Sequence, residues 1–220
     1  MRTQRPKSPG AGLRRKPSPV RQGEIVDAAM RIIASRGGRD FTARALADEV
    51  GVTDAAVFRH FASMDAIVDA VIARIETVLF DEVPPRNPDP IERTGAFFRH
   101  RVRVLLDHPH LSRLLLTDRL AQVAGLAASR RVGAFRRRSL KFVTDCLQEA
   151  EDRGELRGVM DPRVGAVLVT GAILALGHRG VPLESNKAAQ EVSEDVWSAL
   201  EPLLRGNPPG RSVAARPGRT

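Results

Sequence analysis

Apolar residues recur at helical spacing along most of this chain, and no stretch alternates as a strand would. Ile25, Ala28, Ala29, Ile32 and Ile33 fall three or four apart, which predicts a helix over 21–36 stopped by Gly37-Gly38. Thr42 is placed to cap a short helix running to Val50, with Ala45, Leu46 and Val50 facing inward. Gly51 supplies a tight turn. Thr53 caps a second helix reaching Phe61, with Val52, Ala56 and Val57 inward. Two short helices joined by a Gly-centred turn predict a helix-turn-helix, whose second helix is slim and polar enough for a DNA major groove. Ser63 then caps a long helix with Asp65 in its first turn and Ile67, Val68, Val71, Ile72, Ile75 and Leu79 as its apolar stripe.

Pro84, Pro85, Pro88 and Pro90 mark a domain boundary, after which the pattern is again helical. Asp89-Pro90-Ile91-Glu92 reads as a helix start, followed by Phe97, Phe98, Val102, Leu105 and Leu106 on one face. Further helices are predicted over 109–116, 118–128 and 129–153, the last stopped by Gly154. An apolar helix over 161–177 and a final one over 185–204 follow, with Ala189, Val192, Val196, Leu200 and Leu203 spaced along the latter. Pro202 should kink or fray its end. The fold class is therefore all-α: an N-terminal three-helix helix-turn-helix DNA-binding domain, 21–82, and a C-terminal helical domain, 89–204. Residues 1–20 and 205–220 read as disordered basic tails.

Charge changes this picture. The 220 residues carry a net +9. Ten basic residues and no acid lie in 1–20 and 205–220, so residues 21–204 are left at −1. The helix-turn-helix region, 21–62, balances six arginines against six acids. The first tail is either a solvated segment or a cationic arm tracking phosphates beside the recognition helix. One cysteine, Cys146, excludes an internal disulfide, and its apolar neighbours suit a packed thiol in a reducing cytoplasm. Val164–Leu176 is the longest apolar run, at thirteen residues, short of the roughly 18 a membrane span needs. Such a helix wants cover on several sides, which predicts a homodimer paired through the last two helices. Symmetry then calls for a palindromic double-stranded operator.

Within the motif, Thr42 and Thr53 are placed for phosphate, and Arg59 for guanine through its bidentate guanidinium. Arg44 can reach phosphate or a base edge, Ala55 a thymine methyl, and His60 a phosphate. Asp54 either accepts from cytosine or serves as a helix-start acid. His100, Asp107, His108, His110 and Asp118 crowd a helix junction, but Pro109 breaks the spacing a metal needs. Arg136-Arg137-Arg138 is a solvated helix face or a protein-partner surface. No nucleophile elbow, phosphate loop or paired carboxylates appear, so neither an enzyme nor a cofactor is expected.

The quoted motif resembles the TetR family of bacterial regulators. Gly51-Val52-Thr53, Phe58-Arg59-His60-Phe61 and Ser63-Met64 stand at the family's mutual spacing, within a segment from Arg21 to about Leu79. Two positions depart from the pattern: Phe58 replaces a tyrosine and Met64 a lysine, each removing a phosphate contact. The resemblance implies a cytoplasmic, nucleoid-associated repressor, dimeric through its last two helices and released by an unknown small molecule. It implies a pocket lined by Phe97, Phe98, Leu105, Leu115, Phe135, Phe142 and Leu168, residues that a plain core explains equally. The competing class is a nucleoid-occlusion factor of the same fold, engaging a division protein through its second domain.

Overall fold

The computed structural model describes residues 18–80, 87–178 and 186–206, the side chains of 186–189 excepted. Its ten helices are α1 (Ser18–Arg36), α2 (Ala43–Val50), α3 (Asp54–Phe58), α4 (Met64–Phe80), α5 (Pro90–Asp107), α6 (Pro109–Leu116), α7 (Arg119–Val123), α8 (Leu126–Asp152), α9 (Pro162–Gly177) and α10 (Asn186–Leu204). A 3₁₀ turn at Gly38–Asp40 precedes α2. Among the described residues the only β pairing is one bridge, Leu156 to Arg205. No described helix is long and apolar enough to cross a membrane.

The helix starts follow their capping residues. Thr42, Thr53 and Ser63 hydroxyls accept from the backbone N–H of Ala45, Ala56 and Ala66 at 3.1, 3.2 and 3.1 Å. Asp89 accepts from Ile91 and Glu92, and Asp161 from Arg163. Each satisfies an otherwise orphan donor of the first turn, worth about 1 kcal/mol. Asp89 also accepts from Arg205 (3.1 Å), and these bonds outweigh its partial burial to hold its carboxyl below the ordinary range.

Several boundaries differ from the sequence reading. Helix α1 begins at Ser18, three residues inside the segment expected as an arm; residues 1–17 lie outside the described chain. Helix α3 ends at Phe58 rather than Phe61, because His60 N–H turns back to the Val57 carbonyl (3.0 Å) and tightens the last turn. Helix α8 begins at Leu126, since the chain breaks helical geometry at Ala124-Gly125 and separates α7 from it. Pro202 neither breaks nor ends α10: it sits one turn from the end, and Arg205 N–H still reaches the Glu201 carbonyl at 2.8 Å. Arg205 is not a tail residue, because it pairs with Asp89, Glu92 and Glu201.

In the first domain α1, α2, α3 and α4 surround Ile25, Ile32, Ile33, Leu46, Val57, Ile67 and Ile72, all essentially inaccessible. The second domain packs α5 between α8, α9 and α10. Its close approaches use small residues. A Cβ on Gly95 would lie 2.6 Å from the Trp197 ring, and one on Gly177 2.6 Å from Leu105 Cδ1. The two domains share one continuous core, because α1 lies against α6 and α7, and α4 against α8.

Gly95→Ala should cost about 1–3 kcal/mol, since Trp197 is held by Phe98 and has no room to yield. Urea unfolding followed by Trp197 fluorescence, the chain's single tryptophan, measures this; an unchanged midpoint would contradict the packing.

Candidate nucleic-acid interface and regulatory cavity

Helices α2 and α3 pack together around Gly51, whose φ of 73° puts it in the left-handed region that glycine adopts without strain. Leu46, Ala47, Ala56 and Val57 anchor the pair to α1 and α4, while Ala45 and Val50 are half-buried. Of the eight candidate contact residues, Thr42, Arg44, Thr53, Ala55, Phe58 and Arg59 are exposed; Asp54 and His60 are half-buried. Asp54 opens α3, where an acid suits the helix dipole. The Thr42 and Thr53 oxygens are occupied as caps, leaving their hydroxyl protons to donate.

The Arg59 side chain makes no hydrogen bond or ion pair with any described residue, so its fork is available. Arg44 lies 3.1 Å from Asp48, an exposed i,i+4 pair worth a few tenths of a kcal/mol that a phosphate can displace cheaply. His60 is tied to the start of α1: its Nδ1 lies 3.2 Å from the Ser18 hydroxyl, and its carbonyl accepts from Gln22. Phe58 is 46% exposed, an apolar ring in open solvent on the recognition helix. Met64 packs partly against the core, so its lost charge is exchanged for burial. Arg31 and Arg36 both pair with Glu49, which offsets part of the positive charge there.

Behind this domain lies a cavity of about 230 Å³ between α5, α6, α8 and α9. Phe97, Leu105, Leu115 and Phe135, four of the seven residues expected of a pocket, line it. The other three expected residues do not. Phe98 turns the opposite way onto Trp197 (ring centroids 5.6 Å), Phe142 stacks behind Phe97 (5.0 Å), and Leu168 lies on the outer face of α9. The walls also hold polar groups that the sequence reading missed: Arg101, Arg136, Ser139 and Thr170. The signal for Arg101 was present, because Phe97, Arg101 and Leu105 share one face at i, i+4 and i+8.

Arg101 is 4% exposed. Its Nη1 donates to the Leu79 carbonyl at 2.9 Å, at the C-terminal end of α4. Its guanidinium carbon sits 5.0 Å from the Phe80 ring centre and 4.9 Å from that of Phe97. Burial, with Arg138 adding like charge, lowers its pKa to about 10, so the group stays protonated at neutral pH. Arg119 makes a matching contact to the other long helix of the first domain, donating to the Ala34 carbonyl of α1 at 3.0 Å. The Arg136–Arg138 run is less free than a partner surface requires: Arg136 donates to the Leu115 carbonyl, and Arg138 covers the Phe80 ring at 4.0 Å beside Glu76. Cys146 is buried, which raises its thiol pKa.

Comparison with known proteins agrees with this geometry. The family model for bacterial regulatory proteins of the tetR family matches residues 25–71, spanning α2 and α3, most of α1 and the first half of α4. The transcriptional repressor KstR2 of Mycobacterium tuberculosis is 24% identical over 144 residues, 64% of this chain and 72% of that protein. The nucleoid occlusion factor SlmA of a Marinomonas species is 27% identical over 193 residues, 85% of this chain and 96% of that one. In fold, the chain is similar to AibR, solved with isovaleryl coenzyme A and operator DNA, at a TM-score of 0.70 and 20% identity over 83% of this chain and 98% of AibR. Residues 25–71 thus match the DNA-binding domain of the tetR family, and with its capped helix-turn-helix and all-helical second domain the chain is similar to that family's DNA-binding transcriptional regulators.

Proposed function

We propose that the protein is a dimeric repressor acting on the nucleoid in the cytoplasm, which leaves a palindromic operator when a small molecule fills the α5–α9 cavity. The observation that carries this reading is the placement of the cavity. Its wall residue Arg101 holds the last turn of α4, the helix that starts at the cap following the recognition turn. A ligand with different affinity for two positions of that turn would shift the first domain and the recognition helix with it. AibR, of similar fold, has been solved with isovaleryl coenzyme A and operator DNA bound together, so this fold has room for both kinds of partner.

The dimer rests on α9. Val164, Val167, Leu168 and Leu174 leave an apolar stripe open, from 43% to 60% exposed, and Gly171 has nothing within 4 Å. Leu203 of α10 is exposed as well, rather than inward as its spacing suggested. An apolar stripe on two neighbouring helices fits burial by a second copy about a two-fold axis. Gly165, by contrast, is used within the chain, against Leu147 and Leu204.

In this reading Arg59 reads a base and Thr42, Arg44, Thr53 and His60 hold phosphates, while Ala55 and Phe58 offer apolar contact and Asp54 starts the helix. The reading of a nucleoid-occlusion factor is favoured by the similarity to SlmA across nearly its full length. A genome-wide binding map separates the two: one or a few promoter sites for a regulator, dispersed sites for the other.

Selection of bound DNA from a random pool with the purified protein should yield a two-fold symmetric site. Arg59→Ala should weaken that site by about 1–3 kcal/mol, roughly 5- to 150-fold, and leave non-specific binding nearly unchanged. An equal loss on random DNA would assign Arg59 to phosphate instead. Deleting residues 2–17, which spares Ser18 and its contact to His60, should lower operator affinity and reduce the salt slope by about 0.9 per phosphate lost. An unchanged slope in a filter-binding titration would remove the arm from the interface.

A further inference from the structure

The α5–α9 cavity holds a cation that no described carboxylate neutralises. Arg101 spends one N–H on the Leu79 carbonyl and a second, at 3.4 Å, on the Ser139 hydroxyl. Its Nε is buried with no partner at all. Its remaining neighbours are the faces of Phe80 and Phe97 and a second cation, Arg138. A buried guanidinium in apolar surroundings is costly unless an anion shares the site, and its planar fork matches a carboxylate with two parallel bonds.

We infer that the cavity takes a compact carboxylic acid, whose carboxylate pairs with Arg101 and whose apolar body lies among Phe97, Leu105, Phe135 and Ile173. Size sets the class. At about 230 Å³ the space exceeds the ~150 Å³ that holds benzene and falls below the ~300 Å³ at which drug-sized pockets begin. A single ring or a short branched chain fits, whereas the nucleotide of a coenzyme A thioester does not. The Ser139 hydroxyl beside the guanidinium supplies a further donor to the carboxylate. Because the same guanidinium holds the end of α4, a carboxylate that draws it inward loosens that cap. This consequence, unlike the binding itself, rests on the reading of the chain as a ligand-released regulator.

The test uses the full chain with benzoate, cyclohexanecarboxylate and 4-methylpentanoate, the neutral amide of each, and the coenzyme A thioester of cyclohexanecarboxylate. Calorimetry and thermal melting should show at least one acid binding tenfold or more tighter than its amide. Arg101→Met should abolish that preference, and Arg101→Lys should retain part of it. Leu140→Trp, which enlarges a wall residue and leaves Arg101 unchanged, should weaken acid and amide together. Acid and amide binding alike, a preference that survives Arg101→Met, or a thioester that outcompetes every acid would each overturn the proposal. Release of the selected operator is read separately. An acid that binds through Arg101 and leaves operator affinity unchanged would keep the ligand class and defeat the ligand-released reading.

Discussion

Two arginines of the second domain donate to carbonyls at the C-terminal ends of the two long helices of the first, Arg101 to Leu79 and Arg119 to Ala34. The last carbonyls of a helix have no intrahelical donor and carry the negative end of its dipole, so a guanidinium there is doubly favourable. Neither contact is a surface ion pair that salt would erase. Arg101 is nine-tenths buried and more, and Arg119 reaches across to α1 from the start of α7. The apolar core that runs between the domains supplies adhesion without direction. The arginine bonds supply direction, because a planar fork tolerates little rotation. The recognition helix therefore takes its orientation from residues far from it in sequence.

This arrangement divides the labour of DNA binding. The α2–α3 pair presents shape, two capped helix starts and Arg59, whose side chain has no partner among the described residues, while Arg31, Arg36 and Arg44 pair with Glu49 and Asp48. Phe58 and Met64 stand where the family pattern has a tyrosine and a lysine; Phe58 is exposed, and Met64 turns part of its side chain to packing. Excess positive charge lies in the first tail, ahead of α1, whose Ser18 touches His60 beside the recognition turn. Ser18 itself therefore lies close to the recognition turn.

Features decided within one helical turn were legible in the sequence. Thr42, Thr53, Ser63, Asp89 and Asp161 cap the helices their positions suggested, and the apolar stripe of α4 is buried residue for residue. Features decided across the fold were not. The end of α3 depends on α1 holding the His60 carbonyl through Gln22, 38 residues away. The helical face of Arg101 was legible, but not its partner, which lies 22 residues back at a carbonyl no motif marks. Leu168 was assigned to the cavity because α9 is apolar nearly all round, and composition alone cannot tell its inner face from its outer one. Phe98 and Phe142 share helical spacing with cavity residues yet point into core on either side of Phe97.

The central claim is that arginine caps, rather than core contact alone, fix the first domain on the second. Amide hydrogen exchange on the wild type and on the Arg101→Met, Arg119→Met double variant tests it most directly. The account predicts faster exchange in the last turns of α1 and α4 and in the α2–α3 pair they carry, with α9 and α10 unchanged. Unchanged protection in α1 through α4, or an equal loss across both domains, would contradict it.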